Sequence, residues 1–171
     1  LGPNAEGAKV GLVVPAYVTI DSIEDMNAHA DKFDGKILGL EPGAGMMTKT
    51  ERAIKDYKMD RLELMEGSEA TMIAELANRI KQKKWAVVLG WTPHWKFSRW
   101  ELKFLKDPKG IYGDVENIVT VVRKGLDKDM PEVYKFLDNF QWSLDEIGQL
   151  LKWNSIKGVD PYESAKWWVK V

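Results

Sequence analysis

The run Gly90-Trp91-Thr92-Pro93-His94-Trp95 places two indoles and an imidazole directly after the apolar segment Trp85-Ala86-Val87-Val88-Leu89. Indole faces attract cations that carry no N–H, quaternary ammonium groups in particular. The imidazole of His94 offers a general base, a metal ligand or a structural hydrogen bond. A second group lies in Glu41-Pro42-Gly43-Ala44-Gly45-Met46-Met47-Thr48, where a glycine-containing turn runs into a helical pattern. The first N–H groups of a helix have no partner within it, and they suit an anion. The plainer reading is a tight βα turn that needs glycine for its geometry. The Gly-Lys-Ser/Thr ending of a phosphate loop is absent, and a carboxylate suits the turn as well as a phosphate does. An aromatic face and an anion-binding turn on one sheet fit a small zwitterion, cationic at one end and carboxylate at the other.

Other chemistries lack their residues. The two histidines, His29 and His94, lie far apart in sequence and form no metal-binding pair, so His94 reads first as a structural hydrogen-bonder. There is no Gly-x-Ser-x-Gly elbow, and Gly67-Ser68-Glu69 is more simply a helix cap. Glu66 and Glu69 have no sequence-level partner for acid–base work. Cysteine is absent, which removes disulfides, thiolate metal sites and thiol nucleophiles together. A net charge of −1 with both signs interspersed carries no footprint for nucleic acid or an anionic membrane. No apolar run approaches the roughly 20 residues of a spanning helix. The expectation is a binding protein, not an enzyme, with no cofactor and no metal. Trp91, which follows Gly90 at a strand's carboxyl end, is the tryptophan placed to touch a ligand; Trp95 and Trp100 lie on the loop or its following helix and are secondary candidates. Trp85, Trp142, Trp153, Trp167 and Trp168 are assigned to packing or surface.

The elements that must position these residues alternate. Strands are predicted at Lys9–Pro15, Lys36–Leu40, Arg61–Met65, Trp85–Leu89 and Ile118–Arg123. A helix starts at Asp21 or Ser22. Another covers Met46–Tyr57, with Met47, Ala53, Ile54 and Tyr57 on one face. A third carries Met72, Ile73, Leu76, Ala77 and Ile80. A short helix is expected around Trp100–Leu105, followed by a turn at Asp107-Pro108-Lys109-Gly110. Three helices close the chain: Pro131–Phe140, Ser143–Trp153 and Tyr162–Val169, with Ser143 and Asp160 as N-caps. Strands alternating with helices give an α/β fold with a mainly parallel sheet, in which ligands sit beyond the carboxyl ends of the strands.

Several motifs occur together and in order. They are Leu1-Gly2-Pro3-Asn4 with Val10-Gly11-Leu12-Val13-Val14-Pro15, then Glu41-Pro42-Gly43-Ala44-Gly45-Met46, Gly90–Trp95, Leu105–Gly110 and Val122-Arg123-Lys124-Gly125. Over nearly its whole length the sequence resembles the glycine betaine/proline betaine-binding proteins of ABC-type osmoprotectant importers. The resemblance implies an extracytoplasmic receptor of periplasmic-binding-protein type II, with two α/β lobes that close on ligand and an importer permease as partner. In that family three tryptophans enclose the trimethylammonium group, while backbone amides and a histidine hold the carboxylate. Trp91 matches one of those tryptophans, and Gly45 and Met46 match the two amide donors, with Ala44, His94 and Trp95 beside them. The motifs that carry the other two tryptophans and the carboxylate histidine are not in this sequence. His94 is not that histidine, since its place in the motif differs.

The resemblance thus implies one complete lobe, residues 16–118. Residues 1–15 and 119–171 supply hinge strands and helices of a second, incomplete lobe. The missing segment would precede Leu1 or follow Val171, and the apolar surface left open invites a dimer or domain exchange. Receptors for choline, carnitine, ectoine or proline on the same fold, or a small α/β enzyme using His94, are the alternatives.

Overall fold

The computed structural model describes residues 1–170, and the chain divides into two compact units. One unit comprises Val10–Trp91 and Trp100–Asp114; the other comprises Leu1–Lys9, Thr92–Arg99 and the chain from Val115 on.

The Val10–Trp91 unit is built on a sheet of order β3-β2-β4-β1-β5. Its strands are β1 (Pro3–Pro15, from Val10 on), β2 (Lys36–Leu38), β3 (Glu63–Met65), β4 (Val88–Thr92, up to Trp91) and β5 (Leu102–Phe104). β2 pairs in parallel with β3 (Ile37 opposite Leu64) and with β4 (Leu38 opposite Val88). The fully buried Leu12, Val13, Val14, Val87, Val88 and Leu89 make the centre of the sheet apolar on both faces. Gly90 is required there, since a Cβ on it would stand 2.2 Å from Val13 Cγ2.

Two helices cover this sheet as the periodicity predicts. α1 (Gly45–Asp56) buries Met47, Thr50 and Ala53, and α2 (Glu69–Lys81) buries Met72, Ile73, Leu76 and Arg79. Ser68 starts α2 with a capping box, its side chain accepting from the Thr71 N–H while Thr71 returns a bond to the Ser68 backbone. Arg79, buried among apolar neighbours, is satisfied by ion pairs to Asp34 and Glu75.

The other unit has a two-stranded ribbon. The first half of β1 pairs antiparallel with β6 (Glu116–Val119), Ala5 opposite Ile118. Its helices are α3 (Lys96–Arg99), α4 (Leu126–Asp129), α5 (Pro131–Asn139), α6 (Leu144–Asn154) and α7 (Pro161–Lys170). Ser143 caps α6 with a full capping box, and Asp160 accepts the Tyr162 N–H ahead of α7. The tryptophans assigned to packing make ring contacts here: Trp142 meets Trp168 at 5.9 Å, and Trp153 meets Trp167 at 6.4 Å. Among the described residues, every exposed large apolar side chain lies in this unit, Phe136, Tyr162, Trp167 and Val169 included. A groove of about 690 Å³ between Phe136, Phe140, Trp153 and Trp168 belongs to the same surface.

The lobe's sheet keeps the expected parallel pairing through β3-β2-β4, with β5 antiparallel to β1 at its end, and three other expectations are corrected. Trp100–Leu105 is not a helix, since Leu102, Lys103 and Phe104 are held opposite Pro15, Val14 and Val13. The helix expected after Ser22 forms as two 3₁₀ segments, Ile23–Asp25 and Asn27–Phe33, although Ser22 does cap the first. Finally, β4 lies three residues later than predicted, because the Trp85 carbonyl bonds Arg79 and the ladder to β2 begins only at Val88.

Candidate functional site

β2 and β4 are parallel neighbours, so their carboxyl ends open on the same edge of the sheet. The chain leaving β2 forms the Glu41–Gly45 turn, and β4 carries Trp91. The turn is tightly set. Gly39 N–H bonds the Met65 carbonyl at 3.0 Å, and a Cβ on Gly39 would stand 2.5 Å from that carbonyl. The sulfur of Met47 reaches back beneath the turn to accept the Leu40 N–H at 3.2 Å. Gly43 takes φ +89, a left-handed value that glycine adopts without strain, and Ala44 N–H closes on the Glu41 carbonyl.

α1 therefore begins in a distinctive state. Its N-cap, Ala44, has only a methyl and gives no side-chain hydrogen bond, unlike the serines that cap α2 and α6. The Met47 and Thr48 N–H groups turn back to the Ala44 carbonyl. Among the described residues, the Gly45 and Met46 N–H groups have no acceptor. Gly45 is exposed, with nothing within 4 Å of where a Cβ would stand. Two N–H groups at a positive helix end, open to solvent, are what a carboxylate takes.

Trp91 is half-buried at the end of β4, about 10 Å beyond Val88 at the usual rise of a strand. Ala44, Gly45, Met46 and Trp91 thus share one unit and one edge of its sheet. His94 and Trp95 fall in the other unit. His94 is buried, and its Nδ1 accepts the Lys96 N–H at 3.0 Å, which in the neutral ring places the proton on Nε2. Trp95 is half-buried, with the His94 ring 5.5 Å from it and the Arg99 guanidinium 5.8 Å over it. Among the described residues, no group of three His, Cys, Asp or Glu is placed to hold a metal ion.

Sequence reasoning passed over the support of α1. Asp107, read only as part of a turn, accepts the Tyr57 hydroxyl at 2.5 Å and the Tyr112 N–H at 2.8 Å. Lys109 gives its N–H to the Tyr57 oxygen and its ammonium to the Asp56 carbonyl at the C-terminal end of α1. Burial, followed by the bond to Asp107, pushes the Tyr57 phenol up to about 12. Burial likewise raises that of Tyr112. The signal available was the Leu105–Gly110 motif, which the sequence reading used as a turn and as a mark of the family but gave no part in supporting α1.

A sheet flanked by helices in this α/β order is the fold of type II periplasmic binding proteins, with which the chain aligns. The chain belongs to the family described as the substrate-binding domain of ABC-type glycine betaine transport systems, which it matches over residues 1–171. It is 48% identical over 137 residues to the glycine betaine/carnitine transport binding protein GbuC of Listeria monocytogenes, covering 78% of this chain and 45% of GbuC. Among solved structures, lactococcal OpuAC, closed and complexed with glycine betaine, aligns at a TM-score of 0.84 with 45% identity. That alignment covers 99% of this chain and 65% of OpuAC. The glycine betaine/L-proline-binding protein ProX of Borrelia burgdorferi gives 0.84 and 40%, over 99% of this chain and 64% of its own. A choline-binding protein in complex with choline gives 0.77 and 30%, over 99% and 61%. The chain thus spans about half to two-thirds of the length of these relatives.

Proposed function

We propose that this chain is part of an extracytoplasmic receptor that captures glycine betaine, or a closely related carboxylate-bearing quaternary ammonium osmolyte, and delivers it to an ABC importer permease. The carrying observation is the uncapped start of α1 at the exit of β2, next to the strand that carries Trp91. A quaternary ammonium donates no hydrogen bond, so an indole face is its natural partner, worth roughly 0.5–2 kcal/mol. The Gly45 and Met46 N–H groups supply the opposite end, at about 1.5–3 kcal/mol for each charge-assisted bond. Capture is reversible and non-covalent, and no residue is assigned a catalytic role. Ala44 shapes the turn. His94 and Trp95, which the sequence places beside these residues, fall in the other unit and are given no contact with the ligand in this reading.

Residues 16–118 act in this reading as the complete lobe, and the unit holding α5, α6 and α7 as an incomplete one. Its exposed aromatic helices and its two-stranded ribbon support that view, since isolated two-stranded ribbons are marginal in water. So do the buried atoms Asn4 Oδ1, Trp142 Nε1 and Asn154 Oδ1, which lack partners among the described residues and lie in this unit. No helix among the described residues is long and apolar enough to cross a membrane.

One indole and two amides do not make a tight site. Calorimetric titration with glycine betaine is expected to detect weak binding by this chain and tight binding by a receptor of the relatives' full length. Equal, tight binding by both would remove the need for a second lobe. Sedimentation of the chain is expected to reveal concentration-dependent self-association through the apolar helices. A monomer at every concentration would rule out domain exchange. Choline is the second reading, carried by the 30% identity to a choline-binding protein, and it would leave the α1 amides without a carboxylate to bind.

A further inference from the structure

The first turn of α1 is tied to a residue far along the chain. The Thr50 hydroxyl donates to the Met46 carbonyl at 2.8 Å, the bond by which a threonine binds back one turn along a helix. A hydroxyl has one proton, so the contact of 2.9 Å between Thr50 Oγ1 and the Tyr112 hydroxyl must run from Tyr112 to Thr50. Both side chains are fully buried, and neither hydroxyl can exchange its partner for water. Tyr112 is itself fixed at its backbone. Its N–H is held by Asp107 Oδ2 at 2.8 Å, and its carbonyl by Lys49 Nζ at 2.8 Å. Asp107 in turn is bound by Tyr57 at the far end of α1. One loop, Asp107–Tyr112, thus grips the helix at its C-terminal end, in its middle and, through Thr50, at Met46.

We propose that Tyr112 is a positioning residue for the anion-binding turn: acting through Thr50, it sets the pitch of the first turn of α1 and so the aim of the Gly45 and Met46 N–H groups. The inference rests on the reading of those two groups as carboxylate donors. Back-bonding ties the threonine hydroxyl to the carbonyl one turn earlier, and here that bond is locked because the threonine oxygen also accepts from a buried phenol. The phenol stays protonated as the donor role requires, since burial raises its proton affinity. Met46 is thereby held from beneath, while its N–H remains free to meet a ligand.

The test uses the chain itself, ¹⁵N-labelled and titrated with glycine betaine and separately with choline, which has the same cation but no carboxylate. Tyr112→Phe keeps the ring and removes only the hydroxyl. Thr50→Val removes the next hydroxyl, and Thr50→Ser retains it. In the ligand-free protein, Tyr112→Phe and Thr50→Val are expected to move the Gly45 and Met46 amide resonances, and Thr50→Ser to leave them near wild type. Both hydroxyl deletions are expected to weaken glycine betaine threefold to tenfold relative to choline. General destabilisation would not change that ratio. Unmoved Gly45 and Met46 resonances in Tyr112→Phe, or an unchanged ratio beside normal binding, would overturn the proposal. If the resonances move with Tyr112→Phe while even the wild-type amides ignore glycine betaine, the positioning stands and the carboxylate reading falls. Should Tyr112→Phe fail to fold, the contrast between Thr50→Val and Thr50→Ser decides alone.

Discussion

Replacing Gly45 with proline in the full-length receptor is expected to weaken glycine betaine binding by tenfold or more while leaving the protein at least as heat-stable. Gly45 is the first helical residue of α1, the position at which proline is well tolerated because its missing N–H has no partner within the helix. The preceding Ala44 lies at φ −62 and ψ 135, the extended region that a residue before proline prefers. No atom stands within 4 Å of the added Cβ. The substitution also restricts the unfolded chain, a stabilising effect of about 0.4–1 kcal/mol. What it removes is one charge-assisted donor, worth about 1.5–3 kcal/mol, or roughly tenfold to a hundredfold in affinity. Choline, lacking a carboxylate, is expected to bind the variant as it binds wild type. Calorimetry with both ligands, beside a thermal melt, checks all three statements. An unchanged constant for glycine betaine would remove the Gly45 N–H from the site.

Trp91→Ala in the same full-length receptor is expected to act on the other end of the ligand. It should weaken glycine betaine and choline alike, by more than tenfold, since both present a quaternary ammonium to the indole face. Trp91 is half-buried, so some loss of stability accompanies the change, and Trp91→Phe, which keeps an aromatic face, is expected to recover part of the affinity. The two substitutions thus separate by ligand: one discriminates between a carboxylate and its absence, and the other does not. Unaltered binding of both ligands by Trp91→Ala would exclude Trp91.

The parts of the fold that were legible in sequence are those that local chemistry decides. Ser68 and Ser143 announce α2 and α6 because a hydroxyl one residue before an amphipathic run satisfies helix N–H groups locally. The glycine turn before Met46 announces the start of α1 differently, through Gly43, whose φ of +89 suits glycine, rather than through any capping side chain. β5 was not legible, because Leu102–Phe104 is held by Val13–Pro15, and nothing near residue 102 records that partner. The extent of β4 was misjudged for a related reason: Trp85 to Val87 are apolar enough for a strand, but the ladder depends on where β2 lies alongside. At the candidate site, Trp91, Gly45 and Met46 stand out by residue type and by their place at strand exits. The Tyr112–Thr50 contact spans 62 residues, and a tyrosine and a buried threonine carry no local mark of their pairing.

The central claim is that the indole of Trp91 and the first amides of α1 hold opposite ends of one ligand. It is tested most directly by titrating the ¹⁵N-labelled full-length receptor with glycine betaine while following three signals together: the Trp91 indole N–H and the Gly45 and Met46 amides. All three are expected to move along a single isotherm with one dissociation constant. A saturating titration that shifts the Trp91 indole but leaves both amides in place, or the reverse, would contradict it.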